Sequence, residues 1–375
     1  ERDSQGLRLL YMSFGLLYTS LGRYMHAQES YQESLKLTRV DASNLSSLLN
    51  YLSDLALKQG QLAKAEAFLQ KATDLGSLES EDEAFLICNV GRIYEEKGSF
   101  AQAEASYKTA IAKLQSIRYI PKPTLSYAFL RLGSLLIKTG QFAVAEHFLA
   151  KGLELGDIHP HIAELFMNFG ALYLKKGDHE KAEENLHRSL HIIEGYEEPS
   201  HPFFSDVFSL LGTLYLKREE LEKAEEYYLN SLHLRAETQD AISPKMAEAH
   251  LNLGKLCCHK QDFGQAVLSF SMSLGILRDL FHESHYSLGE VYLSLGFMST
   301  LKVQLEEAEE FYLKSLKIRE ALHIEVDLAE LHSHLGMLYQ RKGETRRARD
   351  YYSKALSFYE QEHPEAVSLR KRLEE

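Results

Sequence analysis

The chain has 375 residues, 45% of them hydrophobic, and its 42 basic and 54 acidic residues give a formal net charge of −12. This balance argues against a general nucleic-acid platform, because phosphate binding requires dense basic residues. No apolar run reaches the roughly 18 to 20 residues that span a bilayer, so we expect no membrane insertion. Three cysteines do not make a disulfide framework, and a reducing cytoplasm fits them best.

Small residues recur in pairs twelve positions apart along the whole chain. In order, the pairs are Gly15/Ala27, Ser53/Ala65, Gly91/Ala103, Gly133/Ala145, Gly170/Ala182, Gly212/Ala224, Gly254/Ala266, Gly296/Ala308 and Gly336/Ala348. Successive first members lie 37 to 42 residues apart. Self-similarity at such a period is the signature of stacked supersecondary units. The sequence therefore predicts nine repeat units.

Each unit has the pattern of two amphipathic helices joined by a tight turn. Leu211 precedes Gly212 and Tyr215 follows it by three, while Tyr228 and Ser231 follow the alanine at helical spacing. Other units carry similar residues at the same positions relative to their small residue, and we call each such shared position a column. In six units a glycine stands seven residues after the small residue: Gly22, Gly60, Gly98, Gly140, Gly177 and Gly343. Glycine at this place is predicted to end the first helix in the left-handed conformation.

These columns resemble the tetratricopeptide repeat, whose consensus has the same order of Leu-Gly, Tyr, Ala, Phe or Tyr, and Ala or Ser. Residues 211–215 and 222–228 are close matches. Pro160 and Pro202 each follow a histidine and stand ten residues before the next small residue, where proline suits a helix start. With units of about 42 residues, these entries resemble the long-period arrays of kinesin light chains and nephrocystin-type proteins.

The resemblance implies an all-α fold, a right-handed α-solenoid (superhelix) of nine tetratricopeptide-like helical hairpins. The array is predicted to occupy residues 1–362, and a C-terminal capping helix residues 363–375. The polar Glu374 holds the small-residue position of that tail, which suits a cap that faces solvent. Acid-rich runs in the second helices, such as residues 222–226 and 306–310, are interpreted as solvent-exposed faces.

The sequence contains no recognisable catalytic motif. Most glycines belong to the repeat columns and not to a phosphate-binding loop. The pairs His187/His191 and His282/His285 have no third ligand at a suitable spacing, so no metal site is predicted. We therefore expect neither an enzyme nor a cofactor.

The inner sides of the first helices are predicted to line the concave groove of the superhelix. Helical angles place eight candidate partner-binding residues there: Asn89, Arg92, Tyr127, Arg131, Asn168, Lys175, Asn252 and Lys255. Asn and Arg side chains can hydrogen-bond the backbone of an extended peptide. We expect the acidic part of such a peptide to meet Arg92 and Arg131, and an aromatic side chain to lie near Tyr127.

In each of the last five units, the first helix carries an acidic residue at an equivalent position. These residues form an acidic row: Glu164, Asp206, Glu248, Glu290 and Glu330. Two interpretations stay open. Each carboxylate stands in an early helical turn, where the helix dipole favours it. The row would also make the groove negative at one end, opposite the arginines at the other.

Two functions are consistent with these features. The first is a cytoplasmic, non-catalytic scaffold or adaptor that binds a protein or peptide partner in the concave groove. The alternative is the sensing or autoinhibitory repeat arm of a larger multidomain signalling or regulatory protein.

Overall fold

The computed structural model describes residues 2–37, 42–76, 80–119, 121–156, 159–195, 202–238, 242–281, 285–322, 325–359 and 364–374. Within these ranges the chain forms nineteen α-helices and no β-strand. In order they are α1 Arg2–Ser20, α2 Tyr24–Leu37, α3 Ala42–Lys58, α4 Leu62–Leu75, α5 Ser80–Glu96, α6 Phe100–Ser116, α7 Lys122–Lys138, α8 Phe142–Glu154, α9 His159–Lys176, α10 His179–Glu194, α11 Pro202–Lys217, α12 Leu221–Thr238, α13 Pro244–His259, α14 Phe263–Leu280, α15 Tyr286–Leu301, α16 Leu305–Leu322, α17 Glu325–Arg341, α18 Thr345–Phe358 and α19 Pro364–Glu374.

Consecutive helices pack as antiparallel hairpins, from α1 with α2 to α17 with α18, and α19 packs on α18. The first helix of each hairpin carries the small residue and the second carries the alanine. The prediction of an all-α solenoid of helical hairpins is therefore confirmed. The predicted boundary between array and cap, at residues 362 and 363, lies outside the described residues, as do His201 and His282, and it stays a prediction.

The glycine column lets the two helices of a hairpin approach closely. A Cβ added to Gly212 would lie 2.6 Å from Cδ1 of Tyr228, and one added to Gly170 would lie 2.6 Å from Cδ2 of Leu186. Ala224 is completely buried on the facing helix. The side chain sixteen residues after each glycine therefore fills the space that the glycine leaves, which fixes the packing of the hairpin.

The turns of the hairpins share one backbone conformation. The six predicted turn glycines all have positive φ, between 69° and 82°, so their left-handed conformation is confirmed. In the other three hairpins Glu219, Gln261 and Val303 adopt it, with φ of 62°, 61° and 63°. A β-branched residue is strained there, so the fold imposes this turn even where the local sequence opposes it.

Within the part of the chain that the structure describes, an ion pair of one kind joins neighbouring hairpins at five of their eight junctions. A glutamate just after the alanine of one hairpin meets a base near the end of the next hairpin's first helix. The pairs are Glu66–Lys97, Glu146–Lys176, Glu183–Arg218, Glu225–Lys260 and Glu309–Lys342. A tyrosine often joins them, as when Tyr215 donates to Glu183 at 2.8 Å. We call this arrangement the junction ion pair.

The superhelix closes on itself. The turns of the second and third hairpins rest against the starts of α13 and α15. Three contacts form this seam: Gly60 with Pro244, Glu96 with His285, and Phe100 with Tyr286. In the second contact the imidazole donates to the backbone carbonyl, and in the third the ring centroids lie 5.5 Å apart. The concave groove is therefore enclosed along part of its length.

Candidate ligand-binding channel

The closed superhelix surrounds a channel of about 1420 Å³. Its walls are mainly the inner sides of the first helices, with contributions from second helices such as α10 and α14, and the lining extends from Leu16 in α1 to Arg372 in α19. Small-molecule pockets commonly measure about 300 to 1,000 Å³. The channel is thus larger than such a pocket, and its length matches that of the repeat array.

Seven of the eight predicted partner-binding residues line the channel: Arg92, Tyr127, Arg131, Asn168, Lys175, Asn252 and Lys255. Asn89 does not, because it is completely buried behind the wall. Its Nδ2 donates to Oδ1 of Asn50 at 2.8 Å. This amide joins two neighbouring hairpins and is not open to a ligand.

The two arginines expected to meet an acidic ligand are balanced by carboxylates of the preceding hairpin. Arg92 pairs with Asp54, and Nη2 of Arg131 lies 3.0 Å from Oε2 of Glu95. Glu95 also lies 2.6 Å from Nζ of Lys138. Burial would raise the pKa of Glu95, but Lys138 and Arg131 outweigh it and lower the pKa to about 2. This part of the wall is an internal ion network.

The predicted acidic row lines the channel in all five units. Asp206 lies 2.9 Å from Nη2 of Arg235, and Glu290 lies 2.5 Å from Nη2 of Arg319. Both arginines belong to second helices and are at most 1% exposed. The sequence analysis did not identify these two arginines. Both stand four residues after the small serine of their helix, and this shared position could have indicated that they have the same role.

A row of lysines lines the channel at the other ends of the first helices: Lys58, Lys138, Lys175 and Lys217. Closure brings this row toward the acidic row. Burial would raise the pKa of Glu248, but Lys245, Arg235 and Lys138 together lower it to about 2. Charges of both signs therefore face each other across the channel, instead of separating along its length.

Aromatic rings form one edge of the channel. The ring centroids of Phe85 and Tyr127 are 5.8 Å apart, and those of Tyr127 and His161 are 5.4 Å apart. Burial lowers the pKa of His161, so its ring is neutral at neutral pH. Its Nδ1 is buried without a hydrogen-bond partner among the described residues. This edge therefore offers a stacking surface to a ligand.

The described ranges contain no cluster of three His, Cys, Asp or Glu residues that could hold a metal ion. In the same part of the chain, no helix is both long enough and apolar enough to cross a membrane.

Because His285 is buried at the seam, we expect the free energy of unfolding to decrease at acid pH. Burial lowers the pKa of His285 from its ordinary 6.5 to about 4, although its hydrogen bond to the Glu96 carbonyl opposes this. The folded protein binds this proton more weakly than the unfolded chain, so the stability it contributes is lost as pH falls from 6.5 to 4. We expect His285→Gln to reduce that loss by about 2 kcal/mol, measured by urea denaturation between pH 7 and 4. An unchanged pH dependence would contradict a buried neutral histidine.

Tetratricopeptide repeat models match residues 13–79, 86–112, 161–237, 209–279 and 287–361. Together these segments cover well over half of the chain. The chain belongs to the tetratricopeptide repeat family. The family predicted from the Gly and Ala columns is confirmed, whereas the long-period subclass stays a prediction. No curated protein matches this tetratricopeptide repeat chain significantly.

Several solved structures share the fold of this tetratricopeptide repeat protein. A Rap protein complexed with Competence and Sporulation Factor is 13% identical, with a TM-score of 0.71 and 99% of each chain covered. A Rap conjugation gene regulator of plasmid pLS20, in complex with a Phr peptide, is 13% identical, with a TM-score of 0.61 over 99% of this chain and 97% of that one. The apo form of RapI is 16% identical, with a TM-score of 0.53 over 73% and 97%. At these identities the likeness shows the fold alone.

Proposed function

We propose that the protein is a non-catalytic interaction scaffold that binds an extended peptide, or an extended segment of a protein partner, inside the channel. The channel, which the seam encloses along part of its length, carries this proposal, because its volume exceeds that of a small-molecule pocket and its lining mixes apolar, amide and charged side chains. Two proteins of similar fold were solved with Competence and Sporulation Factor and with a Phr peptide. The free thiols of Cys88, Cys257 and Cys258 agree with a cytoplasmic location.

Two asparagines in the channel wall are suited to bind a peptide backbone. Nδ2 of Asn168 donates to the Glu164 carbonyl at 2.8 Å, and Nδ2 of Asn252 donates to Oγ of Ser209 at 2.9 Å. Each amide is thereby held by its nitrogen, which leaves its oxygen to accept a peptide N–H. We infer that these two residues align the peptide along the first helices.

The charge pattern favours a ligand that carries both signs. A carboxylate of the ligand would approach Lys175 and Lys217, because both lysines line the channel and are exposed to it. A basic group would lie by the acidic row, and an aromatic side chain by Tyr127. Nζ of Lys255 lies 3.3 Å from Oε2 of Glu290, and Lys255 would contact the ligand while it keeps this ion pair.

A steric block of the channel tests the proposal. Ala171 lines the channel, and Ala171→Trp should fill its centre without altering charge. Peptides of random sequence are first selected for binding to the wild-type protein. We expect Ala171→Trp to weaken their affinity by about 100-fold, as measured by fluorescence anisotropy, while the melting temperature is unchanged.

The matched control is Ala105→Trp, which places the same side chain on the exposed outer face of α6. It should bind the selected peptides like the wild-type protein. If both variants bind equally well, the peptides do not occupy the channel and the proposal is wrong.

A further inference from the structure

The outer face of the seventh hairpin differs from the rest of the convex surface. Its second helix, α14, has no charged residue between Asp262 and Arg278. Val267, Leu268 and Met272 on this helix are 40%, 58% and 54% exposed. Side chains of this size are usually buried, and contiguous exposed apolar groups mark interaction sites.

Large apolar residues at these three positions are confined to this one hairpin. Val267, Leu268 and Met272 stand one, two and six residues after the alanine of α14. At these places the neighbouring α12 has Glu225, Glu226 and Asn230, and α16 has Glu309, Glu310 and Lys314. Along the nine units, none of the three columns holds another apolar residue larger than alanine. The solenoid therefore does not require an apolar residue at any of them.

The seventh hairpin also lacks a contact that joins other neighbouring hairpins. Val267 replaces the glutamate of the junction ion pair, and from the fourth hairpin onward this is the one junction of the described chain that lacks it. The corresponding base, Lys302, has no ion pair among the described residues. Oγ of Ser299, in the tyrosine column, is buried without a hydrogen-bond partner there. The hairpin thus exposes apolar surface and gains no internal contact from it.

Neighbouring helices extend the apolar surface and border it with acids. Leu229 on α12 and Leu313 on α16 share a column and are 50% and 43% exposed. We define the convex patch as Leu229, Val267, Leu268, Met272 and Leu313. The exposed acidic residues on its two sides are Glu222 and Glu226 on α12, and Glu306 and Glu307 on α16, while Glu310 of α16 pairs with Lys314. An apolar strip with acidic borders is complementary to an apolar strip with basic borders.

We propose that the convex patch docks an amphipathic helix of a partner protein whose apolar face is bordered by lysine and arginine. Leucine-type anchors at i, i+3, i+4 and i+7 would cover Leu268 and Met272, while the basic borders meet the glutamates of α12 and α16. The net charge of −12 disfavours a second copy of the chain as the occupant. This surface lies outside the channel, so the inference goes beyond the proposed function.

Three synthetic helical peptides of about 18 residues are the probes. The first has leucine along one face and lysine on both borders, the second has the same composition in scrambled order, and the third has glutamate in place of lysine. Fluorescence anisotropy measures their affinity for the full chain. We expect the first to bind about tenfold or more tightly than either of the others. Equal binding of the scrambled or glutamate peptide would overturn the proposal.

A charge-neutral pair of variants locates the binding. Leu268→Glu with Met272→Lys copies the Glu310–Lys314 pair of α16 onto α14, and should weaken binding of the first peptide by about tenfold or more. Glu184→Arg with Arg188→Glu swaps the pair at the same places of α10 and should have no effect. Thermal melting checks that both variants fold. Unchanged binding by the α14 variant, or a wild-type dimer that this variant dissociates, would overturn the proposal.

Discussion

Gly212→Leu is expected to lower the free energy of unfolding by about 3 kcal/mol, because it overpacks a closed helix contact. Even a Cβ at this position would lie 2.6 Å from the ring of Tyr228. That ring cannot easily move away, since its hydroxyl donates to Oγ1 of Thr213 at 3.1 Å. Ala224→Leu, on the facing helix, should have a similar effect. Urea denaturation measures both.

The matched control for this prediction is Gly275→Leu. Gly275 also lies within a helix, but a Cβ there would meet no atom within 4 Å. This variant should be as stable as the wild-type protein or slightly more stable, because leucine has the higher helix propensity. Wild-type stability of Gly212→Leu would mean that the glycine column does not set the helix spacing.

Glu95→Gln is expected to destabilise the fold by about 3 kcal/mol at neutral pH, because it leaves two partly exposed cations without the buried carboxylate that balances them. The Glu95 carboxylate is 1% exposed and accepts from Arg131, Lys138 and the hydroxyl of Tyr107, the last at 2.8 Å. A glutamine has the same shape but cannot balance the charge. Urea denaturation at pH 7 gives the loss directly.

Glu96→Gln is the control, since it makes the same chemical change at the next residue. The Glu96 side chain forms no ion pair within the described residues, and its backbone carbonyl, which accepts from His285, is retained. We expect its stability to match that of the wild-type protein. Similar losses for both variants would show that the Glu95 network does not stabilise the wall.

The hairpins could be predicted from the sequence because each unit specifies its own geometry. Gly212, Ala224 and Tyr228 are close along the chain, and their spacing alone determines which faces meet. The turn was predicted wherever glycine marks it. It was not predicted at Glu219 or Val303, because the left-handed conformation there is imposed by the surrounding packing and not by the residue.

The closure of the superhelix could not be predicted in this way. Gly60 meets Pro244 only because small rotations between successive hairpins add up over several units, and no local pattern encodes that sum. The pairing of Arg92 with Asp54, in contrast, could have been predicted from the sequence. Both stand one residue after the small residue of consecutive units, so stacking brings them together.

A photo-crosslinking measurement tests most directly whether the channel is the binding site. A peptide selected on the wild-type protein carries a benzophenone group, is irradiated in the complex, and its attachment points are read by mass spectrometry. Binding inside the channel predicts crosslinks to the inner faces of α9, α11 and α13, near Ala171 and Asn252, and their loss in Ala171→Trp. Crosslinks confined to the outer faces of α10, α12 and α14 would contradict a ligand in the channel.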